Sequence, residues 1–449
     1  LEFRRVLFRS PTLLLQRIFA QSRPTTATTH CTRHKHMPSF SLDLTDILQP
    51  HRASIHTRSF CVAQGALTQA GGVLGNALPS GRWHLIADAT TWALAGPQLA
   101  NQLRNADIPH ALHVLDSARP APTMEAVEAL RSALDGSTAA LALGAGTIND
   151  LVKMAAHRAG IPYAAVATAP SMNGYTSAIA ALLEDGVKTT QPCTPPVAVL
   201  ADIDLLADAP HRMIAAGFGD LISKPVSQAD WLLAHHLAGA PYSPQAAQLI
   251  DASAELLDGM AAQLPQRAPE AIGRLTGSLL LSGLSMAVAG TSAPSSGGEH
   301  LISHYFDMTH YAFGQPNDLH GCQVGVATAT TAALYEKLLA LHPAHIDRTA
   351  RMAAHLPWTT YRRTVEAHFA GLAPAVLPHA EQGYASLAAL DERLQHLQTH
   401  WDDIVTALAA TLRPAADIVA DLTAAGAPTT FAELGVAPER ARCALRHGK

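Results

Sequence analysis

A doubly wound, Rossmann-like parallel α/β sheet followed by an all-α half is the fold that the 449-residue sequence predicts. Two observations predict it. Between about residues 50 and 215, short apolar runs alternate with stretches of helical periodicity, the pattern of a parallel sheet flanked by helices. Beyond Ala209-Pro210 the short runs vanish, and long Ala/Leu-rich stretches with a 3.6-residue period take over.

The elements follow in order. Residues 84–88 read as a first buried strand, 91–104 as a helix and 111–115 as a second strand. Thr123 is a good N-cap for a helix over 123–134, since its hydroxyl can accept an orphan amide of the first turn. A third strand, 138–143, ends in glycine; then come a helix over 148–159, a fourth strand at 163–167 and a fifth at 197–201. Helices are expected over 213–222, 229–237, 244–262, 271–290, 299–308, 322–341 and 387–412, with 294–298 and 313–318 as loops. No period of 20–50 residues recurs, so a solenoid is not expected.

Length suggests two to three domains, and 48% hydrophobic residues can fill a sizeable core. The division expected is a tail over 1–36, a nucleotide-binding domain over 37–212 and a helical metal- and substrate-binding domain over 213–449. The tail carries six arginines and Lys35 against Glu2 alone, so the remaining chain has a formal charge near −11 (−5 minus +6). No basic surplus is left to bind nucleic acid. Its composition reads as non-native or disordered sequence ahead of Met37, the expected native start; an Arg-rich, acid-poor transit peptide is the alternative. Five scattered cysteines without a C-x-x-C pair point to a reducing, cytoplasmic setting. The longest apolar stretch, 279–290, is interrupted by Ser282, Gly283 and Ser285, and no membrane span is expected.

Three motifs carry chemistry. In the first, a strand runs into Gly144-Ala145-Gly146-Thr147 and then a helix, which lets backbone amides and a helix N-terminus meet a pyrophosphate. Turns of this kind also arise for close packing alone, and the spacing departs from G-x-G-x-x-G. Asp88, ending the first strand, is a candidate partner for an adenosine ribose. The second motif is Asp220 in Gly-Phe-Gly-Asp, which could equally be a cap. The third is His300 and His304 in Gly-Gly-Glu-His-Leu-Ile-Ser-His, sharing one helix face, with His320 following in Leu-His-Gly. Among 24 histidines such pairs also arise by chance, but one carboxylate with two imidazoles makes a three-ligand site with positions open to a substrate.

The blocks over 144–153, 168–174, 216–224, 297–304 and 319–321 together resemble the iron-dependent alcohol dehydrogenase superfamily, within it the sn-glycerol-1-phosphate dehydrogenase branch. The resemblance covers roughly residues 50–340. It implies the dehydroquinate synthase-like architecture, metal ligands at Asp220, His300 and His320, and a second active-site histidine at His304. It also implies a nucleotide loop at Gly144, Ala145, Gly146 and Thr147, with Asp150 beside it, and Thr168 and Ser171 near the nicotinamide. Asn173 faces the substrate where the branch usually has Asp; an amide still hydrogen-bonds a hydroxyl but cannot serve as a base.

The implied activity is metal-dependent, NAD(P)H-linked reduction of a small ketose phosphate, most simply dihydroxyacetone phosphate to sn-glycerol 1-phosphate. The cofactors are NAD, favoured over NADP because Asp88 would repel a 2′-phosphate, and one divalent ion, zinc, iron or nickel. Lys224, Lys188 and Lys153 are the candidates for the substrate phosphate. A homo-oligomer is the expected assembly. The rivals are a polyol or glycerol dehydrogenase, a dehydroquinate synthase-like lyase and a non-catalytic scaffold; the lyase is disfavoured because residues 294–320 contain no Lys or Arg.

Overall fold

The computed structural model describes residues 40–117, 120–184 and 187–448. The expected tail, Met37 and Cys31 lie outside the described residues. Among the described residues nine strands form two sheets. The larger has the order β1 (Ser41–Leu42), β2 (Ser59–Ala63), β9 (Ala198–Asp202), β6 (Tyr163–Ala167), β5 (Ala139–Gly144), β3 (Trp83–Asp88) and β4 (His110–Leu115). All its pairs are parallel except β1 with β2. A separate antiparallel hairpin joins β7 (Ile179–Glu184) and β8 (Val187–Pro192).

Why these residues make this sheet is visible in its two faces. Strands β3, β5, β6 and β9 are buried along their whole length, as continuous apolar runs require. Along β5, Leu141 and Leu143 pack with Leu85 and with Leu99 and Leu103 of α1 (Ala89–Asn105). On the other face Ala140 and Ala142 meet α2 (Met124–Ala133) and α3 (Gly146–Ala159) through Val127, Leu130, Leu151 and Val152. Thr123 caps α2 as expected, its hydroxyl accepting from the Ala126 amide. From β3 the chain first moves outward to β4, then returns to place β5 on the other side of β3. The carboxyl ends of β3 and β5 therefore flank the switch point, where open α/β sheets bind ligands.

The second half is helical: α4 (His211–Leu221), α5 (Lys224–Ala238), α6 (Pro244–Leu257), α7 (Pro269–Ala289), α8 (Gly298–Phe313) and α9 (His320–Leu339), then shorter helices to His447. Helix α7 has 21 residues, longer than expected, and is long and apolar enough to cross a bilayer. It is the central core helix here, with 83% of its apolar window buried and Leu279 and Leu280 packed with Ile214 and Phe218 of α4.

Two readings need correction. Neither β2 nor the β7–β8 hairpin was expected, because Ser59–Ala63 is short and half-buried and β8 reads Val-Lys-Thr-Thr-Gln-Pro. The stretch 387–412 is two helices, Leu387–Thr399 and Trp401–Ala409. The two halves pack against each other through one hydrophobic cluster, in which Val62 and Ile86 meet Leu279, Trp401 and Leu422.

Candidate functional site

Three helix ends converge. Asp220 lies in the last turn of α4, His300 in the first turn of α8, and His320 opens α9. Each placement has a local cause. The Asp230 carboxylate accepts from the Gly298 amide at 2.5 Å and from the Tyr335 hydroxyl, fixing the start of α8. Glu299 accepts from the Gly297 amide and from the Ser227 hydroxyl, both at 2.9 Å. The start of α9 is held by Asp318, which pairs with Arg212 and accepts from the Leu319 amide at 2.7 Å.

Asp220 Oδ1 stands 3.6 Å from His300 Nε2, and the ring centroids of His300 and His320 are 5.2 Å apart. His300 Nδ1 is bound to Glu299 Oε1 at 2.7 Å and His320 Nδ1 to Ser303 Oγ at 2.9 Å, so Nε2 is the nitrogen each ring has left for an ion. Two donors 3.6 Å apart suit bonds of about 2 Å to a shared ion. The donor chemistry and its supporting shell therefore fit a divalent metal. As the side chains stand, no group of three or more His, Cys, Asp or Glu among the described residues closes around an ion. Asp220 Oδ1 is occupied by the Lys224 ammonium at 2.9 Å.

Burial and neighbouring charge divide the protonation states. Burial would raise the Asp220 carboxyl, but Lys224 and then His300 hold it far below the usual range. Burial opposes charge on His300, yet its bonds to Asp220 and Glu299 raise it. His320 is pushed well down by burial and by Lys188. His304 is pushed down to about 3 by burial, then by Lys188 and His300. Its ring stacks on His320 at 5.7 Å.

The glycine-rich turn lies at the carboxyl end of β5. A side chain at Gly144 would press on Ile148, so this glycine serves close strand-to-helix packing. Ala145, the N-cap of α3, supplies no side-chain cap, which leaves first-turn amides of the helix available to an anion. One loop joins the turn and the candidate metal ligands: Met172 lies within 3.6 Å of where a Gly146 side chain would begin, and the next residue, Asn173, donates its backbone N–H to Asp220 Oδ2 at 3.0 Å. The Asn173 amide donates to Ser282 Oγ at 3.1 Å. Thr168 and Ser171 lie on the same loop, directly after β6.

A family model described as iron-containing alcohol dehydrogenase matches residues 61–210. A glycerol-1-phosphate dehydrogenase [NAD(P)+] of Bacillus licheniformis is 40% identical over 278 residues, 60% of this chain and 68% of that protein. The enzyme of that name from Bacillus velezensis is 36% identical over 293 residues, 64% and 72% of the two chains. The chain belongs to the iron-containing alcohol dehydrogenase superfamily, in its glycerol-1-phosphate dehydrogenase branch. A solved glycerol dehydrogenase from Schizosaccharomyces pombe shares the dehydrogenase fold, with a TM-score of 0.54 at 17% identity over 80% of this chain and 93% of that one.

Within this dehydrogenase several expected residues are otherwise engaged. Asp88 stands at the switch point, but it is buried and its Oδ1 caps α1 by accepting from the Thr91 amide at 2.8 Å. Asp150 is tied to the hairpin, accepting from the Ala181 amide at 3.1 Å. Lys153 is fully buried on the carbonyls of Gly174 and Ile179. Lys224, only 1% exposed, has three acceptors for its three N–H bonds and is not available to a substrate phosphate. Lys188 is different: the hairpin carries it to Asp307 of α8 at 2.6 Å, with its side chain 18% exposed. A cation expected from the sequence thus stands over α8, although residues 294–320 themselves contain none. Arg440 of the C-terminal helix Pro438–His447 likewise reaches α8, donating to the Phe306 carbonyl at 3.0 Å.

Glu299, Ser303, Asp230 and Asp307 were not singled out as functional positions. The one signal available was Glu299 beside His300, an acid next to a ligating ring.

Proposed function

We propose that this dehydrogenase reduces dihydroxyacetone phosphate to sn-glycerol 1-phosphate with NADH, NADPH being the alternative donor, on a divalent metal held by Asp220, His300 and His320. The observation that carries the reading is the 3.6 Å approach of Asp220 Oδ1 to His300 Nε2, with both imidazoles secured at Nδ1. The relatives' name supports the substrate, and the free cysteines among the described residues agree with the cytoplasmic setting we favour. A homo-oligomer remains the proposed assembly.

When bound, the ion supplies Lewis acidity at the substrate carbonyl and the reduced nicotinamide supplies the hydride. The residues then divide the work. The first-turn amides of α3, at Gly146 and Thr147, bind the cofactor pyrophosphate, while Thr168 and Ser171 line the nicotinamide side. Asn173 orients the substrate hydroxyl. His304, a neutral imidazole at neutral pH, relays a proton to the product oxygen without storing one. Lys188 meets the phosphate, leaving Asp307 as it does so.

The test is a panel of ketose phosphates and free polyols, with both nicotinamide cofactors, after metal reconstitution. Turnover of dihydroxyacetone phosphate supports the reading; turnover of free polyols alone replaces it with a polyol dehydrogenase. Lys188→Ala is expected to raise KM for dihydroxyacetone phosphate by about 10- to 100-fold, the worth of a charged hydrogen bond of ~1.5–3 kcal/mol. Unphosphorylated dihydroxyacetone should be used as before. Equal effects on both ketones would remove Lys188 from phosphate recognition.

A further inference from the structure

We infer that Lys224 is an internal counter-cation, holding Asp220 and the start of α8 together without metal and thereby lowering the site's affinity for metal. The inference rests on the reading of Asp220 as a metal ligand. Lys224 opens α5, four residues after Asp220. Its ammonium reaches Asp220 Oδ1 at 2.9 Å, the Ser295 carbonyl at 3.0 Å and Ser223 Oγ at 3.3 Å. Neither charge meets solvent, since Asp220 is fully buried and Lys224 nearly so. A carboxylate in such a place needs a partner of opposite charge.

Two structural consequences follow. Ser295 sits in the loop that leads through Gly297 into His300, so the ammonium ties both metal-ligand segments to one point. The oxygen it holds is also the one facing His300 Nε2, so an incoming dication shares that oxygen with a fixed positive charge. Attraction to Asp220 is partly spent before the metal arrives, and like charges repel strongly at this depth. The lysine thus keeps a metal-free chain folded and makes its metal exchangeable.

The experiment uses the full chain, stripped of metal and titrated with zinc alone. Lys224→Met keeps the length of the side chain without its charge. It is expected to lower the metal-free melting temperature by roughly 3–5 °C, as an orphaned buried charge does in a chain of this length. It should also tighten zinc binding at least about tenfold. A lysine that only packs would destabilise metal-free and zinc-loaded forms alike and leave zinc affinity unchanged, and that result overturns the inference. The double variant Asp220→Asn, Lys224→Met, with neither charge, should recover most of the lost melting temperature; failure to recover also overturns it. Asp220→Asn alone separates the two layers of argument. If it leaves zinc binding intact, the ligand reading fails; if it abolishes zinc binding while Lys224→Met changes nothing, only the lysine inference fails.

Discussion

Replacing His300 by alanine is expected to strip the bound metal and to cut turnover of dihydroxyacetone phosphate by well over a hundredfold, with the fold retained. The scale comes from the partners of such ligands, whose loss alone typically costs about 10- to 100-fold in metal affinity or activity. Glu299 is that partner here, and Glu299→Gln should fall within the smaller range. Its Oε1 takes three contacts, from the Gly297 amide, the Ser227 hydroxyl and His300 Nδ1. Its Oε2 has no hydrogen-bond partner among the described residues. A glutamine can keep its oxygen on the three-contact side, losing the charge that orients the imidazole and placing an amide NH2 where Oε2 stood. The variants should therefore rank wild type, Glu299→Gln and His300→Ala in both metal content and turnover. Stoichiometric metal with near-normal turnover in His300→Ala would remove the metal assignment.

What could be read from the sequence follows from how each residue makes its contacts. Strand β6 carries the bounds expected for it because Tyr163–Ala167 is buried on both faces, so its apolar run ends where the strand ends. The hairpin was illegible for the opposite reason: β8 is polar and, among the described residues, pairs with β7 alone, so no apolar alternation marks it. That omission hid how Lys188 comes to stand over α8. The glycine-bracketed Asp220 and the His300 block stood out because tight backbone geometry requires small neighbours there. Charge alone was a poorer guide. Lys188, Lys153 and Lys224 look alike in sequence, yet one is partly exposed, one is buried on the Gly174 and Ile179 carbonyls and one on the Asp220 carboxylate and the Ser295 carbonyl, a difference made largely by residues 21 to 119 positions away. Asp88 and Asp150 show the same limit, since capping and hairpin anchoring are made by groups whose approach only the fold determines.

The second large effect is expected at a residue that bears no chemistry. Helices α4 and α9 meet backbone to backbone: a methyl group on Gly321 would land on the Ala216 carbonyl, and one on Gly219 would land on the Gly321 carbonyl. Gly325 continues the seam, with the Gly219 Cα 3.1 Å from where its side chain would begin. Asp220 and His320 are the neighbours of these glycines in sequence, so the same close approach that packs the helices brings the two ligands together. Gly321→Ala must push the helices apart, because the atoms it meets are backbone that cannot rotate away. Overpacking of this kind costs about 3 kcal/mol, at the upper end of its usual range. The displaced helices should also separate the ligands, so zinc binding should fall with the melting temperature. Gly72→Ala is the control. It lies exposed in the helix Ala70–Ala77, nothing stands within 4 Å of the added methyl, and the change should stabilise by roughly 0.5–1 kcal/mol. If Gly321→Ala instead melts like wild type and binds zinc normally, the glycine seam does not set the spacing of Asp220 and His320.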